Sequence, residues 1–268
     1  MKQTAHKKRI CSKRLCVLIL VPLTFVFLAL FTVNEPIIPA RQLASPVEDH
    51  YMQERQQMVR MIEMDVHETS QYLDKEALDP KVLQAIHTVP RHKFVIPETL
   101  TEAYLNIPLP IGYGQTISQP YIVAIMTDLL KLSASDTVLE IGTGSGYQAA
   151  VLSELVKQVY SIEIVAPLGE QAKQRFKELG YKNITSKIAD GYYGWEEYAP
   201  FDAIMVTAAA SHVPHALIEQ LKPGGRMMIP VGSHFMTQQL LLIKKDSDGQ
   251  IQTKQILPVR FVPLTGEH

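Results

Sequence analysis

Three glycines at alternate positions, Gly142, Gly144 and Gly146, interrupt the stretch VLEIGTGSGYQ where an apolar run gives way to a helical pattern. Glycine has no Cβ, so the backbone can pass close to a ligand there and turn tightly into a helix. The G-x-G-x-G spacing differs from the G-x-G-x-x-G of dinucleotide-binding folds. A pyrophosphate wants an open helix N-terminus. This tighter loop, with Thr143 between its first two glycines, suits a ligand without phosphates. Three acids stand at the ends of apolar runs. Glu140 directly precedes the loop, where it would sit near a cationic or amine part of the ligand. Glu163 ends the next run, where a carboxylate can accept hydrogen bonds from ribose hydroxyls. Asp190 and Gly191 end a third, where an adenine would lie.

Each feature alone has an ordinary explanation: a glycine loop as a tight turn, an acid at a strand end as a helix cap. In this order and spacing they point together to S-adenosylmethionine. A second loop, GYGQTISQPY (Gly112–Tyr121), lies just upstream, with two glycines, two hydroxyls and no charge. Ser118 could serve there as the N-cap of a helix starting at Pro120, with proline at the first helical position.

The elements that must position these loops alternate. TVLEIG, QVYSIEIV, NITSKIAD, FDAIMVTAA and RMMIPVG read as strands. GYQAAVLSELV, APLGEQAKQRFKELG and HVPHALIEQLKPGG read as the helices between them. Such alternation predicts an α/β fold, a doubly wound and mostly parallel sheet with helices on both faces. The segment from Gln238 to Pro263 adds an antiparallel hairpin turning at Asp246–Gly249. Residues 49–75 and 79–86 read as cap helices. The expected division is a basic N-terminus with an apolar segment over 1–33, a linker over 34–48, a helical cap over 49–110 and a catalytic core over 111–268.

Six basic residues and no acid lie in residues 1–33, which leaves 20 basic against 27 acidic residues, or −7, for the body. That balance argues against nucleic-acid binding, which needs clustered Lys and Arg. The 18 uncharged residues Cys16–Val33 follow the basic flank and predict a membrane anchor or a signal segment, with the body exported. Both cysteines, Cys11 and Cys16, fall there, so the body has no disulfide, thiol nucleophile or cysteine-held metal. His87, His92, His212 and His215 do not form a metal-ligand spacing with nearby acids, and no metal is expected. His212 and His215 read as capping or solvent-facing, and Tyr192, Tyr193 and Trp195 as packing the edge of an adenine pocket.

VPRHKFV (Val89–Val95), LPIGYGQTISQPYIVAIMTDLL (Leu109–Leu130), VLEIGTGSGYQAAVL (Val138–Leu152), DGYYGWEEYAPFDAIMVTAAA (Asp190–Ala210), LKPGGRMMIPVG (Leu221–Gly232) and VRFVPL (Val259–Leu264) resemble the protein-L-isoaspartate (D-aspartate) O-methyltransferase family. The G-x-G-Q-T-I-S-x-P element is specific to that family, whereas the glycine loop is general among methyltransferases. The resemblance implies methyl transfer from S-adenosylmethionine to the free carboxylate of L-isoaspartyl, and also D-aspartyl, residues in damaged proteins, by a family typically found in the cytoplasm. A monomer is expected. Ser118 would be catalytic with Thr116. Thr116, Ile117, Ser118 and Gln119 would touch the cofactor, Glu163 its ribose, Asp190 and Gly191 its adenine, and Gln238 would add a weaker contact. Carboxyl methylation is an in-line displacement by a group already ionised near neutral pH. It needs orientation and desolvation and no strong base. A neutral hydroxyl can hold a carboxylate oxygen without quenching it. The chain departs from the family at Tyr121, where histidine is common, and at Ile164, where a basic residue is. Two other readings are a methyltransferase for a different carboxylate and a membrane-tethered binding protein without turnover.

Overall fold

The structure is a computed structural model that describes residues 51–233 and 235–266. The predicted apolar segment and linker lie outside the described residues. Among those described, no helix is long and apolar enough to cross a membrane. The chain enters through α1 (Met52–Glu68), which buries Met58, Ile62 and Val66 at four-residue spacing. The short α2 (Ser70–Leu73) and then α3 (Pro80–Thr88) follow. α3 begins as its sequence dictates. Asp79 is the N-cap, its carboxylate accepts from the Lys81 amide at 2.9 Å, and proline takes the first helical position. A small hairpin, β1 (Leu109–Gly112) and β2 (Gln115–Ile117), leads into α4 (Pro120–Leu129), whose residues are buried except for Ile122. The expected cap–core border at 110/111 therefore falls inside β1. Tyr113, at φ +54, and Gly112 and Gly114 turn this hairpin.

The main sheet takes β3 (Thr137–Ile141), β4 (Gln158–Glu163), β5 (Ile184–Ile188), β6 (Phe201–Val206), β7 (Leu221–Val231), β8 (Gln238–Lys245) and β9 (Ile251–Val259) in the order β5-β4-β3-β6-β7-β8-β9. The first five run parallel, and β8 and β9 close the edge as an antiparallel hairpin. Three helices alternate with the strands: α5 (Tyr147–Ser153), α6 (Ala166–Glu178) and α7 (His215–Glu219). The helix expected over HVPHALIEQLKPGG is only five residues long, because β7 already starts at Leu221. The register between β6 and β7 jumps from Phe201↔Leu221 to Ala203↔Arg226, so Pro223, Gly224 and Gly225 are taken up as an irregularity within the strand. From β3 the chain winds outward to β4 and β5, then returns to place β6 on the other side of β3. A crevice forms outside the carboxyl ends of the strands at such a reversal.

Candidate active site

The cleft at this reversal is assembled from backbone that only these residues allow. Gly142, Gly144 and Gly146 all have positive φ, at +96°, +52° and +89°. Side chains would be crowded as well as strained there: a Cβ on Gly142 would lie 2.5 Å from Thr207 Oγ1. Thr207 follows β6 and donates to the carbonyl oxygens of Ile141 and Gly142, at 3.0 and 2.7 Å. Glu163, at the end of β4, accepts from the amides of Gly144 at 2.7 Å and Val165 at 2.8 Å. One carboxylate thus pins both the glycine loop and the entry to α6.

The hairpin loop forms the opposite wall. Gln115, Thr116, Ile117 and Ser118 face the glycine loop across the cleft. Ser118 does not cap α4. Gln119 is the N-cap residue, and no side-chain cap bond is made. Among the described residues neither the Thr116 nor the Ser118 hydroxyl has a hydrogen-bond partner. A second groove runs behind the loop between Pro108, Gln119, Ile122 and the segment Pro258–Val262. Thr116, Ser118, Thr207 and Val262 line both spaces. The chain's far end completes the cleft through Val262, Pro263, Leu264 and Thr265. That tail is stitched to the Ala209 backbone by Ala209 N to Val262 O and Leu264 N to Ala209 O, each 2.8 Å.

Of the residues expected around a cofactor, the structure brings Thr116, Ile117, Ser118, Gly142, Thr143, Gly144, Glu163 and Gly191 onto the cleft. Gln119 lies instead on the second groove. Asp190 accepts the Tyr192 amide at 2.9 Å and caps a short turn, leaving the wall to Gly191. Gln238 does not reach the cleft. It accepts the Phe261 amide at 2.9 Å and donates to the Ser233 carbonyl, fastening the tail to β8. Trp195 lies away from the cleft, packed on Tyr160 and Tyr198 under Lys187. His212 meets the Tyr192 hydroxyl at 3.0 Å, and His215 starts α7 beside Glu219 in solvent. Thr207, Ser145, Tyr147 and the tail line the cleft without having been singled out by motif. Their signal was positional: the carboxyl end of β6 feeds the same crevice as those of β3 and β4.

Glu140 is placed otherwise than expected. It lies behind the loop, fully buried, and is not among the residues that line the cleft. Parallel register sets it opposite Ser161, whose hydroxyl donates to it, and Ser161 in turn meets Thr143 Oγ1 at 2.6 Å. Burial raises its carboxyl from the ordinary 4.5 to about 8, against the lowering effect of the Ser161 hydrogen bond. The folded state therefore holds this proton more tightly than the unfolded chain. Glu140's contribution to stability is full below about pH 4.5 and is lost as pH rises to about 8. Denaturant titrations from pH 5 to 9 should show the wild type losing stability across this window. Glu140→Gln, neutral throughout, should lose less. Parallel curves would mean that Glu140 is ionised in the folded protein.

Tyr121 points away from the cleft. Its hydroxyl meets Thr69 Oγ1 at 2.5 Å, and its amide donates to Asn106, which binds Asp65. This departure from the family pattern is a tie to α1 and α2. Ile164, the other departure, lies on the cleft wall and is partly exposed.

The family model described as "Protein-L-isoaspartate(D-aspartate) O-methyltransferase (PCMT)" matches residues 43–268. The chain is 60% identical over 221 residues to protein-L-isoaspartate O-methyltransferase 2 of Syntrophobacter fumaroxidans, covering 82% of this chain and 90% of that one. It is 59% identical over 210 residues to the enzyme of that name from a Polaromonas species, covering 78% of this chain and 100% of that one. A solved protein-L-isoaspartate O-methyltransferase superposes with a TM-score of 0.68 at 30% identity, covering 79% of this chain and 66% of that one. A Plasmodium falciparum structure in complex with S-adenosyl-L-homocysteine shares the fold, with a TM-score of 0.64 at 24% identity, covering 80% of this chain and 98% of that one.

Proposed function

Because the chain belongs to the protein-L-isoaspartate(D-aspartate) O-methyltransferase family, we propose that its cleft and second groove divide the work of carboxyl methylation, with Ser118 and Thr116 at their junction. The enzyme transfers the methyl group of S-adenosylmethionine to the free carboxylate of isoaspartyl residues, the step that opens repair of damaged proteins. The single observation that carries the division of labour is that Ser118 lines both spaces with its hydroxyl unengaged.

Bound S-adenosylmethionine supplies an electrophilic methyl on a sulfonium. The glycine loop gives it backbone clearance. Each Glu163 oxygen already accepts one amide and keeps a lone pair for a ribose hydroxyl. Gly191, pressed on Ile141 with no room for a Cβ, keeps the adenine end narrow. The isoaspartyl carboxylate enters from the groove, with one oxygen held by Ser118 and the other left to attack. Opposite charges meet and vanish in this step, so excluding water from the junction favours it. Neither Ser118 nor Thr116 has to take a proton.

The test offers S-adenosylmethionine carrying a labelled methyl with two peptides that differ only in isoaspartate against aspartate. Base-labile label on the isoaspartyl peptide alone is expected. Label on neither, with cofactor still bound, would favour another acceptor or a binding role. Ser118→Ala removes one hydrogen bond to a charged group, worth about 1.5–3 kcal/mol. It should lower kcat roughly tenfold to a hundredfold and leave cofactor affinity near wild type. An unchanged kcat would remove Ser118 from the chemistry.

The basic flank and uncharged run before residue 34 support a membrane tether, with the body on the far side. Alkaline extraction of membranes separates an anchored chain, which stays with the pellet, from a cleaved or cytoplasmic one, which does not. A monomer is the proposed state; size exclusion with light scattering checks it.

A further inference from the structure

Two arginines lie behind the cleft, and the chemistry above uses neither. Arg91 is fully buried, yet none of the described carboxylates pairs with it. Its Nη2 donates to the backbone oxygen of Ser118 at 2.8 Å and, less closely, to that of Ile107 at 3.4 Å. Among the described residues, Nε and Nη1 have no hydrogen-bond partner. The guanidinium carbon stands 4.8 Å from the centroid of the Tyr147 ring. Desolvation lowers Arg91 to about 10, which leaves it a cation at neutral pH.

Arg175, only partly buried and with Glu178 nearby, makes similar carbonyl and ring contacts on the other side. Its Nη1 donates to the backbone oxygen of Ser145, in the glycine loop, at 2.6 Å. Its guanidinium carbon stands 5.8 Å from the Phe94 ring. Phe94 and Tyr147 are both buried and meet edge to face, 5.6 Å apart at 67°. The contacts form one line: Ser118 carbonyl, Arg91, Tyr147, Phe94, Arg175, Ser145 carbonyl. One end is the loop that carries the Ser118 hydroxyl, and the other is the loop that cradles the cofactor.

A buried cation without a counter-ion is costly, and ring faces and carbonyl oxygens offset part of the cost. A planar guanidinium can stack and donate at once; an ammonium cannot do both as well. Each cation holds the carbonyl of a residue that lines the cleft, and so fixes the peptide plane that follows it. We propose that Arg91 and Arg175 are positioning residues that hold the two ligand-facing loops in one register through the Phe94–Tyr147 pair. The proposal rests on the reading that these loops serve carboxylate and cofactor respectively. Neither arginine lines the cleft, so neither acts by touching a ligand.

The experiment compares Arg91→Lys, Arg175→Met and the double variant with the wild type. It measures S-adenosylhomocysteine affinity by calorimetry and kcat on the isoaspartyl peptide at saturating cofactor, both per folded molecule. The expected signature is crossed. Arg175→Met, on the cofactor side, should lower kcat about tenfold even with the cofactor saturating, as a small misplacement of reacting groups does. Arg91→Lys, on the Ser118 side, should weaken S-adenosylhomocysteine about fivefold. The double variant should lose clearly less than the product of the two singles, because one line is broken either way. Lowered melting temperatures with wild-type kcat and affinity would overturn the proposal, and so would strictly multiplicative losses. If Arg91→Lys does not fold, Phe94→Leu breaks the same line at its centre and is judged by the same two readouts. If the wild type methylates neither peptide, the functional reading fails, and the affinity arm alone still decides whether Arg91 reaches the cofactor loop.

Discussion

Glu163→Ala should weaken S-adenosylhomocysteine binding by about a hundredfold or more. The carboxylate is 5% exposed and accepts two backbone amides, from Gly144 and Val165, at 2.7 and 2.8 Å. Hydrogen bonds to a charged group contribute about 1.5–3 kcal/mol each. Removing the acceptor frees the glycine loop at its centre and leaves the first turn of α6 unsatisfied. Water can enter the open cleft and restore part of this, so about 3 kcal/mol, near a hundredfold, is a fair net figure. Loss of the proposed ribose contact adds to it. Glu163→Gln keeps one carbonyl acceptor and should fall between alanine and the wild type. Calorimetric titration with S-adenosylhomocysteine reads this directly. An affinity for the alanine variant within threefold of wild type would show that the loop holds its shape without Glu163 and that the ribose is bound elsewhere.

The second large effect falls on stability. Gly146 begins α5 at φ +89°, and a Cβ there would lie 2.6 and 2.7 Å from two atoms of the Phe176 ring. The left-handed backbone alone costs an alanine about 1–2 kcal/mol. Phe176 is buried against Ala172 and Tyr181, so its ring cannot swing clear without disturbing the core. Overpacking of this kind costs a further 1–3 kcal/mol or so. Gly146→Ala should therefore destabilise the fold by about 3 kcal/mol and lower the melting temperature by about 10 °C. Gly114→Ala is the control. It shares a positive φ, +71°, but nothing lies within 4 Å of the added carbon, so only the backbone cost of about 1–2 kcal/mol applies. Thermal unfolding without cofactor separates the two. Equal shifts would mean that the Phe176 contact relaxes freely.

The succession of strands and helices was legible because a parallel sheet buried on both faces writes each strand as an apolar run, and glycines mark where each run turns to a helix. Glu163 and the glycine loop were legible for the same reason, since both stand at strand ends. Glu140 was not. Alternation along a strand shows two faces, but in VLEI both are buried, so nothing in the run says that the acid faces Ser161 of β4 and not the cleft. The place of Gln238 was not legible either: its partners, Ser233 and Phe261, come from register across β8 and β9 and from the tail. The Pro-Gly-Gly of LKPGGRM reads as the end of the preceding helix, yet the strand absorbs it as a register jump. Arg91 sits in a stretch that matched the family, but a lone arginine in a sequence carries no mark that it will be buried without an acid. Only the packing of Tyr147 and the Ser118 carbonyl around it makes that visible.

The stitching of Val262–Thr265 to Ala209 has a consequence for the order in which the protein is made. Residues 262–265 are translated after every other part of the cleft, and while they remain inside the ribosome that wall is missing. The glycine loop, Glu163 and Ser118 can all be in place on a chain that still cannot enclose a cofactor. Turnover therefore waits until residues 262–265 have been made and have left the ribosome. A single proteolytic cut before Val262 in the finished protein would return it to the unfinished state without touching a residue that does chemistry.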